Sequence, residues 1–287
     1  MGDIRSIGVV GAGQMGAGIA QVAAASGVRV VLRDLHLEVV DRALQGIGRQ
    51  LEKLVEKGKL TADDRAATLS RIKGTASLAD FADVDVVIEA VTENEELKKK
   101  ILVELDGAMK EGAILATNTS SISITRLAAA VKRPERFIGM HFMNPVPVMK
   151  LVEIIPGLKT SELTLAETRT LAERLGKTTV RSDDQPGFIV NRILVPMINE
   201  AVIGLAEGLG TPEDIDTAMK LGTNQPMGPL ALADLIGLDT CLSIMEVLHS
   251  NLGDPKYRPA PLLRRYVAAG WLGKKAGRGF YRYDTPA

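Results

Sequence analysis

An imidazole and a lone carboxylate stand in the largely apolar run GMHFMNPVPVMKLVEII, residues 139–155: His141 and, twelve positions later, Glu153. A carboxylate beside an imidazole fixes the ring's tautomer and stabilises its charged form, as in catalytic triads. Such a pair moves protons near neutral pH. An isolated histidine in an apolar run is more often an inert core residue. Here the run is short and ends at Asn144-Pro145, so His141 is expected near the C-terminal edge of a strand. That edge is where open α/β sheets carry their sites. Glu153 falls in a second short run that can return alongside the first.

Two further polar groups lie in suggestive places. Thr117-Asn118-Thr119-Ser120-Ser121 follows the strand-like AILAT. One such residue can cap the next helix, and Ser121 or Ser123 suffices for that. Five in a row leave some for a ligand. Asn191, in PGFIVNRILVPMINEA, shares a helix face with Phe188, Leu194, Val195 and Ile198. A buried amide there needs partners. It can be a structural link to backbone or a donor to a substrate oxygen, and the sequence weighs the two evenly.

The elements that must position these groups follow from the pattern. Ser6–Val10 reads as a strand, Gln14–Ser26 as a helix and Val28–Leu32 as a strand. This βαβ unit implies a parallel sheet. Leu37–Lys57 and Thr61–Ile72 read as a helical hairpin inserted next. Strands follow at 84–91, 113–117, 137–142, 151–155 and 178–181, with helices at 93–110, 125–131 and 162–176. The alternation predicts a doubly wound α/β, Rossmann-type domain. Beyond Asp183-Asp184-Gln185-Pro186-Gly187 strand signals almost vanish. Residues 188–207, 212–221, 230–248 and 261–269 read as helices. The expected domains are 1–183, α/β, and 184–287, smaller and all-α.

The turn GVVGAGQMGAGIA carries Gly11-x-Gly13-x-x-Gly16 between the first strand and helix, and Asp34 closes the second strand. The spacing alone is weak, but strand, turn, helix and acidic residue together make it a dinucleotide fingerprint. Gly11 permits the tight turn, Gly13 lets backbone approach a pyrophosphate, and Gly16 lets helix and strand pack closely. Asp34 suits ribose hydroxyls and repels a 2′-phosphate, favouring NAD over NADP. Arg33 beside it could offset that repulsion in part. An NAD enzyme that oxidises an alcohol needs a base near neutral pH, a third argument for His141.

Composition excludes some classes. Lys plus Arg and Asp plus Glu both number 35, so no net basic field draws nucleic acid or anionic membrane. Cys241 is the single cysteine, which forbids an intrachain disulfide, and its run LDTCLSIM suits a buried core residue. No apolar stretch is long enough to span a bilayer and the N-terminus reads as no signal peptide. A cytoplasmic setting is expected, and no metal site.

The segments GAGQMG, NTSS, HFMNPVPVMKLVE, PGFIVNRILVP, DIDTAMKLG, PMGPLALADLIGLD and GKKAGRGFYRY together resemble the short-chain L-3-hydroxyacyl-CoA dehydrogenase family. The likeness runs from Ile4 to Tyr283 and is nearest to the bacterial 3-hydroxybutyryl-CoA dehydrogenases. It implies reversible oxidation of a 3-hydroxyacyl-CoA with His141 as base and Glu153 as its partner. Ser120 and Asn191 match residues that hold the substrate's C3 oxygen. Gly11, Ala12, Gly13, Gln14, Met15, Gly16, Asp34, Glu93, Lys98, Asn118, Ser120 and Asn144 match cofactor-contacting positions, as does Lys275 from the second domain. The hairpin of residues 37–72 resembles the region that meets coenzyme A. Lys53, Lys57 and Lys59 are candidates for its phosphates, although a lysine-rich helix is more often a solvated face. The family implies a homodimer through the second domain. Two alternatives are carried beside this reading: a dehydrogenase of a free hydroxy acid or sugar acid, of the λ-crystallin type, and a non-catalytic NAD-binding protein.

Overall fold

A computed structural model describes residues 4–283 and divides the chain into two compact units, Met1–Gln185 and Pro186–Ala287. Asp184, placed in the second domain from the sequence, is tied into the first unit. Its carboxylate accepts hydrogen bonds from Ser123 Oγ and from the backbone N–H groups of Ile124 and Thr125, each at 2.8 Å.

The first unit is built on one eight-stranded sheet. Its strands are β1 (Ser6–Val10), β2 (Arg29–Arg33), β3 (Ile72–Thr75), β4 (Val86–Glu89), β5 (Ile114–Thr117), β6 (Phe137–Phe142), β7 (Leu151–Pro156) and β8 (Thr178–Arg181). Their order is β3-β2-β1-β4-β5-β6-β7-β8. β1 to β6 run parallel, β7 returns antiparallel to β6, and β8 is parallel to β7. β1, β4, β5 and β6 are buried along their whole length, which explains their largely apolar sequences. The helices of this unit are α1 (Gln14–Ala25), α2 (Leu37–Glu56), α3 (Ala62–Ser70), α4 (Glu95–Ala108), α5 (Ile124–Ala128) and α6 (Glu162–Arg174). α2 buries Val40, Ile47 and Leu51, a helical spacing that joins it to the core of α1, β1 and β2.

One strand differs from expectation. The helix predicted through Ile72 stops at Ser70, and Ile72–Thr75 pairs with β2 as the sheet's edge. IKGT is short, and its lysine and glycine disguise it as a helix end. Gly74 is required there, since a Cβ would lie 2.7 Å from Val40 Cγ1 on α2.

The second unit is helical: α7 (Val190–Ala206), α8 (Pro212–Thr223), α9 (Pro229–Ile236), α10 (Leu238–Leu252) and α11 (Pro261–Ala268). Its core includes Val195, Ile198, Val202, Leu230, Met245 and Leu263. The single helix expected over 230–248 is two, because Gly237 at φ +105° breaks it. Two buried carboxylates close this unit. Asp216 accepts from the N–H groups of Leu230 and Ala231 and from Tyr281 Oη. Asp234 accepts from the N–H groups of Phe280 and Tyr281 and from Tyr283 Oη, at 3.0, 2.9 and 3.1 Å. Cys241 is fully buried in the same core; burial, with the charges of Asp239 and Asp234, pushes its thiol up to about 12. Among the described residues, no helix is long and apolar enough to cross a membrane and no group of His, Cys and carboxylates is placed to hold a metal ion.

Candidate active site

The strand order reverses between β1 and β4, and the loops after β1, β2, β4 and β5 emerge at one edge of the sheet. This is the position where doubly wound sheets bind ligands. Every candidate residue of the first unit on those loops, with His141 at the end of β6, belongs to this edge.

After β1 the chain turns through Gly11, whose φ is +99° and whose added Cβ would lie 2.6 Å from the Ala90 carbonyl oxygen. A Cβ on Gly16 would fall 1.7 Å from the Gly11 carbonyl oxygen, so helix and turn touch through backbone. Gly13, by contrast, faces open space, with nothing within 4 Å of an added Cβ. It caps α1, which has no side-chain cap and no acidic residue in its first turn. Ala12, Gln14 and Met15 complete the turn. Backbone N–H groups and the helix dipole thus face an open, glycine-lined surface, the cradle that a pyrophosphate fits.

Asp34 ties this cradle to β2. Its Oδ2 accepts from Ala12 N and its Oδ1 from Leu35 N, both at 2.8 Å. A carboxylate has about four acceptor positions, so ribose hydroxyls can still be taken. Arg33, which could have countered that charge, is buried, with Nε donating to the Ala76 carbonyl at 3.3 Å.

The loops after β4 and β5 are held by a chain of charges. Glu93 Oε1 accepts from Thr119 Oγ1 at 2.6 Å, Ser120 N at 2.8 Å, and Ser120 Oγ, Ser121 N and Ser121 Oγ at 3.1 Å. Burial opposes its ionisation, but the Lys98 charge and these hydrogen bonds outweigh that, and its carboxyl is held below the ordinary range. Lys98, expected to touch a cofactor, is 1% exposed. Its ammonium donates to Glu89 Oε1 at 2.7 Å and to the Val91 carbonyl at 3.1 Å, and stands 3.5 Å from Glu93 Oε2. What it offers a cofactor therefore passes through Glu93. Asn118 is turned toward β6, where its Oδ1 accepts from Phe142 N at 2.9 Å.

His141 and Glu153 are direct cross-strand partners in the β6–β7 register. His141 Nδ1 lies 2.7 Å from Glu153 Oε2, with Glu153 fully buried and His141 6% exposed. Where the carboxylate accepts this hydrogen bond the ring donates it from Nδ1–H, which leaves Nε2 as the other ring nitrogen. The turn between the strands carries Asn144, which is exposed. Lys177 anchors this turn, donating to the carbonyls of Val146 and Met149. A cavity of about 540 Å³ lies between the turn, α1 and α2, lined among others by Gly13, Gln14, Arg42, Gln50 and Asn144. Lys53, Lys57 and Lys59 are exposed and do not line it. Arg42 escaped the sequence reading, although Arg42, Gly46 and Gln50 follow at helical spacing with a small residue between.

In the second unit, Asn191 lies in the first turn of α7, following Gly187 and Phe188, both at positive φ. Lys275 donates to both carboxylate oxygens of Asp239 at 2.6 and 2.7 Å.

A glycine cradle at the switch point, an acid after β2 and an imidazole–carboxylate pair on the neighbouring strands define a nicotinamide-nucleotide-dependent dehydrogenase architecture. Comparison with known proteins narrows it. Residues 6–185 match the 3-hydroxyacyl-CoA dehydrogenase NAD-binding domain, and residues 187–283 the C-terminal domain of the same family. The chain belongs to the 3-hydroxyacyl-CoA dehydrogenase family. It is 56% identical over 282 residues to a probable 3-hydroxybutyryl-CoA dehydrogenase of Bacillus subtilis, covering 98% of each chain. It is 56% identical over 280 residues to the 3-hydroxybutyryl-CoA dehydrogenase of Bradyrhizobium diazoefficiens, covering 98% of this chain and 96% of that one. The crystal structure of (S)-3-hydroxybutyryl-CoA dehydrogenase from Ralstonia eutropha superposes with a TM-score of 0.96 at 55% identity, covering 99% of this chain and all of that one.

Proposed function

We propose that the protein catalyses reversible NAD-dependent oxidation of an (S)-3-hydroxyacyl-CoA, 3-hydroxybutyryl-CoA above all, to the 3-ketoacyl-CoA. The observation that carries the reading is the buried His141–Glu153 pair, in register on β6 and β7. When bound, NAD supplies the hydride acceptor, and its reduced form the donor in the reverse direction. His141 Nε2 takes the proton of the 3-hydroxyl in oxidation and returns it in reduction. Glu153 holds Nδ1–H and stabilises the imidazolium that forms. Ser120 and Asn191 hold the C3 oxygen. Asp34 takes the adenosine ribose, and the buried position of Arg33 supports NAD over NADP. Lys53, Lys57 and Lys59 remain the candidates for the coenzyme A phosphates, with Arg42 and Gln50 lining a groove on α2, the helix that carries Lys53 and leads into Lys57 and Lys59.

The test is consumption of NADH with acetoacetyl-CoA, repeated with NADPH and with free acetoacetate. Turnover with the thioester and NADH, and little with NADPH or the free acid, is the expected result. Preference for the free acid would move the protein to the hydroxy-acid dehydrogenases.

The protein is further proposed to be a cytoplasmic homodimer joined through its second domain. Exposed apolar residues of that domain, Ile193, Leu209 and Leu221 among them, support this. Sedimentation at micromolar concentration is expected to give the mass of two chains; a stable monomer of 30.7 kDa would contradict it.

A further inference from the structure

We infer that Glu89 is a positioning residue, which sets the Ser120 hydroxyl through Lys98 and Glu93; the inference rests on the function proposed above. Glu89 ends β4 and is fully buried. Its oxygens reach three ways. Oε1 accepts from Lys98 Nζ and from Val91 N, both at 2.7 Å, and Oε2 accepts from Thr117 Oγ1 at 2.6 Å. One carboxylate therefore fixes the exit of β4, the end of β5 and the ammonium of α4.

That ammonium stands 3.5 Å from Glu93, and Glu93 in turn gathers Thr119, Ser120 and Ser121 on one oxygen. The order of dependence runs outward from the buried end. Glu89 holds Lys98, Lys98 holds Glu93, and Glu93 holds the backbone and hydroxyl of Ser120. Neutralising Glu89 alone leaves a buried ammonium whose nearest charge is Glu93, and draws that carboxylate off the serines. Neutralising both Glu89 and Lys98 removes the stranded charge but also the restraint on Glu93.

This separates a positioning role from a purely structural one. A buried ion pair that serves packing can be replaced as a whole with little loss of stability, whereas breaking it by one partner is destabilising. Small displacement of a group that orients the substrate, by contrast, is costly in rate. The test compares kcat for acetoacetyl-CoA reduction with the melting temperature in Glu89→Gln and in the double variant Glu89→Gln, Lys98→Met. The expected result is a lowered melting temperature in the single variant, recovered in the double, with kcat depressed about 10-fold in both. Recovery of kcat together with the melting temperature would overturn the inference.

If the double variant does not fold, Thr117→Val decides. It removes the hydrogen bond to Glu89 at nearly constant volume, together with the long 3.4 Å one that Thr117 Oγ1 accepts from Thr119 N, and is expected to lower kcat measurably; wild-type kcat in a folded Thr117→Val protein would overturn the inference. Ser120→Ala is the control for the reading beneath. Unchanged kcat there would remove Ser120 from the reaction and with it the proposed mechanism. Reduced kcat in Ser120→Ala with wild-type kcat in the double variant would sink only the part assigned to Glu89.

Discussion

His141→Ala is expected to lower kcat by about 10²–10⁴-fold while NADH binding is retained, the range that general acid–base catalysis contributes. The geometry makes the prediction specific. Glu153 is fully buried and sits directly opposite His141 across β6 and β7, with Nδ1 2.7 Å from Oε2. The ring thus has one nitrogen committed to the carboxylate and one edge for proton transfer. Alanine removes both functions without touching the glycine turn, which lies on other strands. Glu153→Gln tests the same pair from its other side. An amide lacks the charge that stabilises an imidazolium, and it can also present an N–H to Nδ1 and favour the wrong tautomer. A lower kcat with an altered pH–rate curve is therefore expected. Near-wild-type kcat in His141→Ala would end the assignment, and a superimposable pH curve in Glu153→Gln would leave that residue a structural part.

The second large effect distinguishes two glycines that look alike in the sequence. Gly16→Ala puts a Cβ 1.7 Å from the Gly11 carbonyl oxygen, so turn and helix cannot both keep their places. Overpacking of this kind costs about 1–3 kcal/mol of stability. The variant should melt earlier and lose NADH binding. The Cβ of Gly13→Val meets nothing within 4 Å in the protein, so the variant's melting temperature should fall far less than that of Gly16→Ala. It should nevertheless raise the Kd for NADH by about tenfold or more, equivalent to at least roughly 1.4 kcal/mol, because the space it fills is the ligand's. Fluorescence titration with NADH alongside thermal melting reads both quantities. Wild-type affinity in Gly13→Val would mean that the pyrophosphate does not cross this turn.

Much of the α/β frame is visible in the sequence because its strands are buried on both faces. Short β-rich runs ending at glycine or polar residues located β1 and β6 residue for residue, and β8, a half-exposed edge strand, was located from its β-branched TTV. β3 was not legible, since an edge strand of four residues needs no apolar run and Gly74 is there to fit Val40. The break at Gly237 was passed over because α9 and α10 are both apolar and a single glycine is tolerated in a helical pattern. Glu89 is the more instructive miss. An acid within an apolar strand is what drew notice to Glu153, and VDVVIEAV presents the same signal. The partner of Glu89 lies nine residues on, in a helix whose other lysines are solvated, so no spacing marks Lys98 as buried. Such a pair becomes apparent only when β4 and α4 are packed together.

The carboxylate of Asp234 reaches across 46 to 49 residues to hold Phe280, Tyr281 and Tyr283. A Cβ on Gly279 would lie 1.8 Å from that carboxylate and one on Gly273 2.3 Å from the Asp234 backbone carbonyl oxygen, so neither has room for a side chain. This has a consequence for the order of synthesis. The first unit has all its strands once β8 has been made, and is free to fold while the second is still being translated. The helices of the second unit have no such freedom. Until residues 280–283 have left the ribosome, Asp234 lacks its backbone and tyrosine donors and Asp216 lacks Tyr281 Oη, in a core that cannot close over them. The second unit is therefore assembled in one late step, and a chain interrupted before residue 273 would pair a finished nucleotide-binding unit with an unfinished helical one.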